Sequence, residues 1–212
     1  EITLSDETIV GDVYIGSGET EIVRLVAKAA QSLQEKYPDI RYHISSGNAA
    51  FVMEQLEKGM IDFGILYDLV DQERYGAVQI PMADTWGVLM RKDSALAEKE
   101  SVSPEDLWDK PLILSEQENQ SKELAAWLRK DISKLRVVAT YNLLFNGSLL
   151  VDEGMGYAIC LDKLINTTGD SRLCFRPLSP KLEATAYLVW KKYQVFSKAA
   201  EKFIQKLREF LI

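Results

Sequence analysis

The first third of the chain alternates short apolar segments with amphipathic helices, and this alternation restricts the fold more than any other feature. Residues 12–15 predict a strand, which ends in Gly16-Ser17-Gly18, and we expect Ser17 or Gly18 to cap the next helix. That helix is predicted from apolar residues at helical spacing, Ile22, Leu25, Val26, Ala29, Ala30 and Leu33. Further strands are predicted at residues 40–44 and 60–66. This order predicts a parallel sheet with right-handed crossovers.

A second series of strands and helices lies between two long extended segments, residues 78–90 and 182–190. Helices are predicted there over residues 121–132 and 144–153. We therefore expect two α/β subdomains. Residues 11–85 together with 185–212, including a C-terminal helix capped by Ser197, form the first, and residues 86–184 form the second.

Composition excludes several classes of protein. Hydrophobic residues make up 47% of the 212 residues, which is enough for ordinary cores. The 25 basic and 32 acidic residues give a net charge of −7, which disfavours direct contact with nucleic acid or an anionic membrane. No segment approaches the roughly 18 apolar residues of a membrane span. Cys160 and Cys174 lack CxxC spacing, so we expect two reduced thiols, although one disulfide stays open.

The chain lacks the motifs of common catalytic and cofactor sites. His43 is the single histidine, and no cluster of His, Cys and Asp has zinc-ligand spacing. Glu21 stands where a dinucleotide-binding motif would place its third glycine after Gly16 and Gly18. Ser17 is not in a GxSxG turn. We therefore expect no catalytic residue, no metal and no cofactor.

Polar residues follow successive predicted strands, which would bring them to one edge of each parallel sheet. Ligands of open α/β sheets bind at that edge. Each residue taken singly could instead be only a helix cap or a turn residue, and Asn48 is expected to cap the second helix. Together they indicate a site for a small molecule, with hydroxyl, amide and backbone groups from Ser17, Thr20, Gly47, Asn48, Tyr67, Thr85, Ser115, Tyr141 and Asn142.

Several segments carry a resemblance to a known family. Gly11-Asp12-Val13-Tyr14-Ile15-Gly16, then Tyr37-Pro38-Asp39-Ile40, Ser46-Gly47-Asn48 and the run from Leu56-Glu57-Lys58-Gly59 to Ile65 occur in that order. The same resemblance extends to three later segments, residues 102–108, 151–156 and 196–204. The chain resembles, over nearly its whole length, the effector-binding domain of LysR-type transcriptional regulators.

The resemblance implies an α/β fold of two Rossmann-like subdomains joined by two crossover strands, like type 2 periplasmic binding proteins. It also implies a small-molecule effector in the cleft between the subdomains, whose binding shifts domain closure and oligomer geometry. It further implies a cytoplasmic homodimer or tetramer, in which the helix at residues 21–36 packs against residues 144–153 of a second copy. DNA would be contacted only through a winged helix-turn-helix domain, which would precede residue 1 and is absent from this chain. No membrane partner is expected. The alternatives are an extracytoplasmic solute-binding protein and, less favoured, an enzyme on the same fold.

The loops of the candidate site are acidic. They carry no lysine or arginine, and their charged residues are Glu19, Glu21, Asp68, Asp84, Glu116 and Glu118. A dianion would lack the arginine that usually pairs with it, so we expect a neutral or cationic effector. Three alternatives stay open. Backbone amides near Ser17 could bind the carboxylate of a zwitterionic effector. The acidic side chains could instead point to solvent, and Arg74 or Arg176 could reach the site from other loops.

Overall fold

Three parallel strands begin the fold in the computed structural model, which describes residues 9–212. Strand β1 (Gly11–Ser17) pairs with β2 (Ile40–Ser46) on one side and with β3 (Phe63–Leu66) on the other. The third strand is shorter than predicted. Gly59 has a φ of +68°, a left-handed conformation that glycine adopts readily, and the Met60 side chain after it is exposed.

Helix α1 (Val23–Gln34) joins β1 to β2, and α2 (Ala49–Glu57) joins β2 to β3. The predicted cap of α1 at Ser17 or Gly18 is wrong. The chain turns before Val23, and Thr20 Oγ1 accepts a hydrogen bond from the Ile22 N–H at 3.0 Å.

The C-terminal segment completes this part of the molecule. Strand β9 (Glu183–Lys191) pairs antiparallel with β3, and α6 (Lys198–Phe210) packs against α1. Ser197 caps α6, since its Oγ accepts the Ala200 N–H at 3.1 Å. One sheet face is covered by α1 and α6, with the core residues Val13, Ile15, Phe63, Leu188 and Phe203.

Helix α2 covers the other sheet face with Val52 and Leu56. It approaches so closely that a Cβ added to Gly64 would lie 2.6 Å from Val52 Cγ1. Glycine at this position therefore lets the helix pack directly on β3.

The middle of the chain builds a second sheet. Strand β4 (Tyr75–Arg91) enters it and pairs antiparallel with β7 (Tyr157–Leu161) and with β8 (Leu173–Pro177). The strand β5 (Leu112–Ser115) lies parallel to β6 (Val137–Tyr141) and to β7.

Three helices belong to the same part of the chain: α3 (Pro104–Leu107), α4 (Lys122–Leu128) and α5 (Leu144–Asp152). The α4 helix is shorter than the predicted 121–132, because Arg129 takes a left-handed conformation (φ 55°) that ends it. Leu124 and Leu128 of α4 belong to one apolar cluster, and Leu144 and Val151 of α5 belong to another.

The chain divides into two compact units. The first contains residues 9–83 and Thr185–Ile212, and the second contains Asp84–Ala184. The chain passes from one unit to the other within β4 and again within β9. No helix within residues 9–212 is long and apolar enough to span a membrane.

Candidate ligand-binding site

Two strand ends meet in the first unit. Ser17 and Ser46 are the last residues of β1 and β2, and they are paired in register. The Gly47 N–H donates to the Ser17 carbonyl oxygen at 3.0 Å. Ser17 is only 1% exposed, and its hydroxyl donates to the carbonyl oxygen of Gly18 at 2.8 Å. The structure therefore brings the predicted residues Ser17 and Gly47 together.

Thr20 and Asn48 both accept hydrogen bonds from backbone N–H groups at the starts of helices. Thr20 is buried and receives the Ile22 N–H. Asn48 caps α2 as predicted, with Oδ1 accepting the Phe51 N–H at 2.9 Å. The Asn48 side chain is exposed, and among residues 9–212 its Nδ2 donates to no other group. Asn48 can thus cap a helix with its oxygen and offer two N–H donors to a ligand.

Tyr67 follows β3 directly, which is again a carboxyl end of a parallel strand. Its ring is partly buried against the core of the first unit. All five predicted residues of this unit therefore lie at or just beyond the ends of β1, β2 and β3.

The other predicted residues belong to the second unit. Ser115 and Tyr141 end β5 and β6 and are paired in register. The Glu116 N–H, next to Ser115, donates to the Tyr141 carbonyl oxygen at 2.9 Å. Asn142 follows and is exposed. Thr85 lies in β4, where its carbonyl oxygen accepts the Asp162 N–H.

Glu118 is the residue that the candidate set omitted. Its side chain is 8% exposed, and burial raises its pKa to about 8 although hydrogen bonding from Ser115 and Tyr141 acts in the opposite direction. The Ser115 Oγ accepts the Glu118 N–H at 2.9 Å, and the Tyr141 hydroxyl lies 3.5 Å from Glu118 Oε1. The second oxygen, Oε2, is buried and has no hydrogen-bond partner among residues 9–212. The Ser115-x-x-Glu118 spacing is the sequence signal that pairs these two residues.

The two arginines that could have paired with an anionic ligand are engaged elsewhere. Arg74 forms an ion pair with Glu57. Arg176 donates from Nε to the carbonyl oxygen of Lys99 at 2.9 Å and from Nη2 to that of Ala97 at 2.8 Å. Neither guanidinium group is thus available as a fork for a dicarboxylate or a phosphate.

The remaining reactive side chains form no catalytic arrangement within the described residues. His43 Nε2 lies 2.7 Å from Asp12 Oδ1, and its ring stacks on exposed Tyr14. Cys160 and Cys174 are both free and buried, and burial raises the pKa of the Cys160 thiol well above its usual value. Residues 9–212 contain no group of three His, Cys, Asp or Glu side chains that could hold a metal ion.

The family model of the LysR substrate binding domain matches residues 7–211. The chain belongs to this family. The predicted family and the predicted α/β fold like that of type 2 periplasmic binding proteins are therefore confirmed. LysR domains of this kind are effector-binding domains of transcriptional regulators and are not a family of enzymes, so the regulatory interpretation is favoured over a solute-binding protein.

The curated relatives are longer than this chain and share low sequence identity with it. An uncharacterized HTH-type transcriptional regulator, YfeR of Shigella flexneri, is 26% identical over 205 residues, which cover 94% of this chain and 65% of that protein. A second HTH-type regulator, from the lacR 5′ region of Staphylococcus xylosus, is 25% identical over 105 residues, covering 48% and 37%. The chain thus spans less than two thirds of the length of either relative.

Solved structures share the fold. The effector-binding domain of QuiR in complex with shikimate superposes with a TM-score of 0.78 at 16% identity, covering 96% of this chain and 98% of that one. HinK, a LysR family regulator from Pseudomonas aeruginosa, gives a TM-score of 0.74 at 19% identity, covering 96% and 71%.

Proposed function

We propose that this LysR domain senses a small-molecule effector for a DNA-binding transcriptional regulator that acts in the cytoplasm. The observation that carries the proposal is the polar edge of each parallel sheet, formed by the ends of β1 and β2 and by those of β5 and β6. A ligand that binds at such an edge meets backbone and side-chain donors already held in place. QuiR, which shares the fold, holds shikimate.

The effector site proposed here includes the nine residues predicted from the sequence. Asn48 and Asn142 supply side-chain amides that make no other donor contact within residues 9–212, and Ser17 and Gly47 supply a preformed polar turn. The domain binds its effector and does not convert it. Binding changes the protein's conformation only as far as the effector prefers one conformation over another.

The test is a thermal-shift screen of small metabolites against this domain. A ligand present at about 100 times its dissociation constant stabilises a folded protein by about 2.7 kcal/mol, which is a readily measured shift. Each ligand found is then recovered after long incubation and checked by mass spectrometry. A ligand recovered unchanged supports a sensor, and turnover would contradict the proposal.

Site variants then locate the binding. Ser17→Ala removes one hydroxyl at the end of β1, and Asn48→Asp keeps the helix-capping oxygen while removing the amide donors. Ser32→Ala, on the exposed side of α1, is the matched control. Weaker binding by the first two variants and not by the control supports the proposed site. Unchanged affinity in both would contradict it.

We also propose that the domain self-associates as a homodimer or as part of a tetramer. Phe145 and Leu149 of α5 are 63% and 49% exposed, although both are large and apolar. Helix α1 carries exposed Ala27 next to its buried face. A two-fold contact of α1 in one copy with α5 in the other would cover these side chains and would serve both chains at once. DNA is contacted only through a further domain of the regulator, in keeping with the net charge of −7.

A further inference from the structure

The buried carboxyl group of Glu118 lies at a pocket within the second unit. The pocket has a volume of about 30 Å³, and its lining consists of Trp86, Glu118, Ser121, Glu123, Leu124 and Leu182. Glu118 Oε2 is buried, and within the described part of the chain it has no hydrogen-bond partner. Burying a hydrogen-bond acceptor without a donor costs free energy, unless a water molecule or a ligand donates to it. The packing of the second unit therefore does not by itself account for this oxygen.

The chemistry of the lining favours a positively charged group over an anion. It contains two carboxyl side chains, one indole ring and one hydroxyl, and no lysine or arginine. The start of α4 offers no vacant anion site, because Ser121 Oγ already accepts the Leu124 N–H at 3.1 Å and Glu123 occupies the first turn. The face of an indole attracts cations, and carboxylates accept strong hydrogen bonds from them.

The size of the pocket limits what it can hold. One water molecule needs about 10 to 15 Å³ of such space. A volume of about 30 Å³ therefore accommodates the end of a ligand and not a whole metabolite. Leu124 and Leu182 would contact the first methylene groups behind a polar end group.

We propose that this pocket is the subsite for a protonated amino group of the effector, with Glu118 Oε2 accepting hydrogen bonds from its N–H groups. The inference rests on the proposed function and names the effector class: an organic amine, held in the second unit by Glu118 and the indole of Trp86. Glu118 thereby becomes a specificity-determining residue.

Binding moves one proton from the protein to the solvent. Since the pKa of Glu118 is about 8, its carboxyl is mostly protonated in the free domain at neutral pH. An ammonium group keeps its own protons and favours the carboxylate, so the O–H bond of Glu118 breaks and the proton goes to the buffer. The titratable groups around Glu118 are Tyr141, Glu123 and Cys160, of which Cys160 stays neutral because burial raises the pKa of its thiol.

The probe is butylamine, compared with butan-1-ol and butyrate. All three present the same short chain, and only the first ends in a cation. The pKa of Glu118 is followed directly by NMR of protein carrying 13C-labelled glutamate, first without and then with each probe. Butylamine at about ten times its dissociation constant should lower the apparent pKa of Glu118 by about one unit, because it binds the ionised form. Butan-1-ol and butyrate should leave that pKa unchanged or raise it.

Glu118→Gln keeps the shape of the side chain and removes its ability to ionise. We expect it to weaken butylamine binding at least about tenfold, which corresponds to one charged hydrogen-bonded contact. The matched control is Glu116→Gln, which makes the same carboxyl-to-amide substitution on an exposed side chain two residues away. Equal loss in both variants, no change in the Glu118 pKa with butylamine, or tighter binding of butyrate would each overturn the inference.

The outcomes separate this inference from the proposed function. An effector found by the metabolite screen that carries no amino group and binds Glu118→Gln normally would leave the sensor function intact and refute the amine subsite. A pKa shift with butylamine, combined with a screen that identifies no effector, would support the subsite and count against the sensor function.

Discussion

The stability of this domain should fall as pH rises through the neutral range, and Glu118 should be the cause. The pKa of a glutamate is near 4.5 when it is exposed and about 8 for this one in the folded protein. Because the folded state binds the proton more tightly, stability is highest below the unfolded pKa. It is lost as pH rises from about 4.5 to about 8, the opposite of the usual salt-bridged carboxylate.

The size of the effect follows from the same two values. Each unit of pKa difference is worth about 1.36 kcal/mol, so the whole shift from 4.5 to about 8 corresponds to on the order of 5 kcal/mol. Between pH 5 and pH 8 the loss should be on the order of 3 kcal/mol, a large part of the stability of a typical protein. The glutamine in Glu118→Gln carries no charge in the folded or the unfolded state, so this variant should show none of that loss of stability.

The assay is urea unfolding of the wild type, Glu118→Gln and Glu116→Gln at pH 5, 6, 7 and 8. All titrating groups except Glu116 and Glu118 are shared by the three chains, so their contributions cancel in the differences. Glu118→Gln should match the wild type at pH 5 and exceed it by roughly 3 kcal/mol at pH 8. Exposed Glu116→Gln should stay within about 0.5 kcal/mol of the wild type throughout. A difference between wild type and Glu118→Gln that does not change with pH would refute the reasoning.

Three further outcomes are expected. Asn48→Ala removes the cap of α2 and should lower the free energy of unfolding, measured in urea, by about 1 kcal/mol. Asn48→Asp should lower it by less, and equal losses in the two variants would show that the cap does not stabilise the helix start. Gly87→Ala places a Cβ 2.5 Å from the Arg176 carbonyl oxygen, so its unfolding free energy should drop by about 1 to 3 kcal/mol, and a stable variant would contradict this packing. Phe145→Asp tests the proposed self-association: it should give monomers in light scattering where the wild type gives dimers, with little change in melting temperature, and a retained dimer would argue against α5 as the contact.

Local patterns predicted the elements whose causes are local. The apolar spacing of α1 identified Leu25, Val26, Ala29 and Leu33 as a buried face, and they are buried. Asn48 was identifiable as a cap from its residue type and position. The polar strand ends were visible too, because parallel strands in a strand–helix series end at one edge of the sheet.

Elements that depend on distant contacts were missed. Strand β8 contains cysteine, arginine and proline and has no clear alternation, and only its pairing with β4 makes it a strand. The end of α4 at Arg129 involves a left-handed residue that is not a glycine, so the sequence showed no stop there.

Glu118 shows the same limit at the candidate site. The sequence places it three residues after Ser115, but its carboxyl lies in a pocket that is also lined by residues as distant as Trp86 and Leu182. Sequence reasoning therefore counted Glu118 as one of several loop acids and missed its environment.

The most direct test of effector sensing is calorimetric titration of a ligand from the metabolite screen into the wild type and two variants, one from each unit. Ser17→Ala alters the end of β1, and Asn142→Ala alters the segment after β6. We predict that each substitution raises the dissociation constant about fivefold to tenfold, as expected for one lost hydrogen bond, while the melting temperature without ligand stays close to that of the wild type. An unchanged dissociation constant in both variants would contradict the proposed site residues.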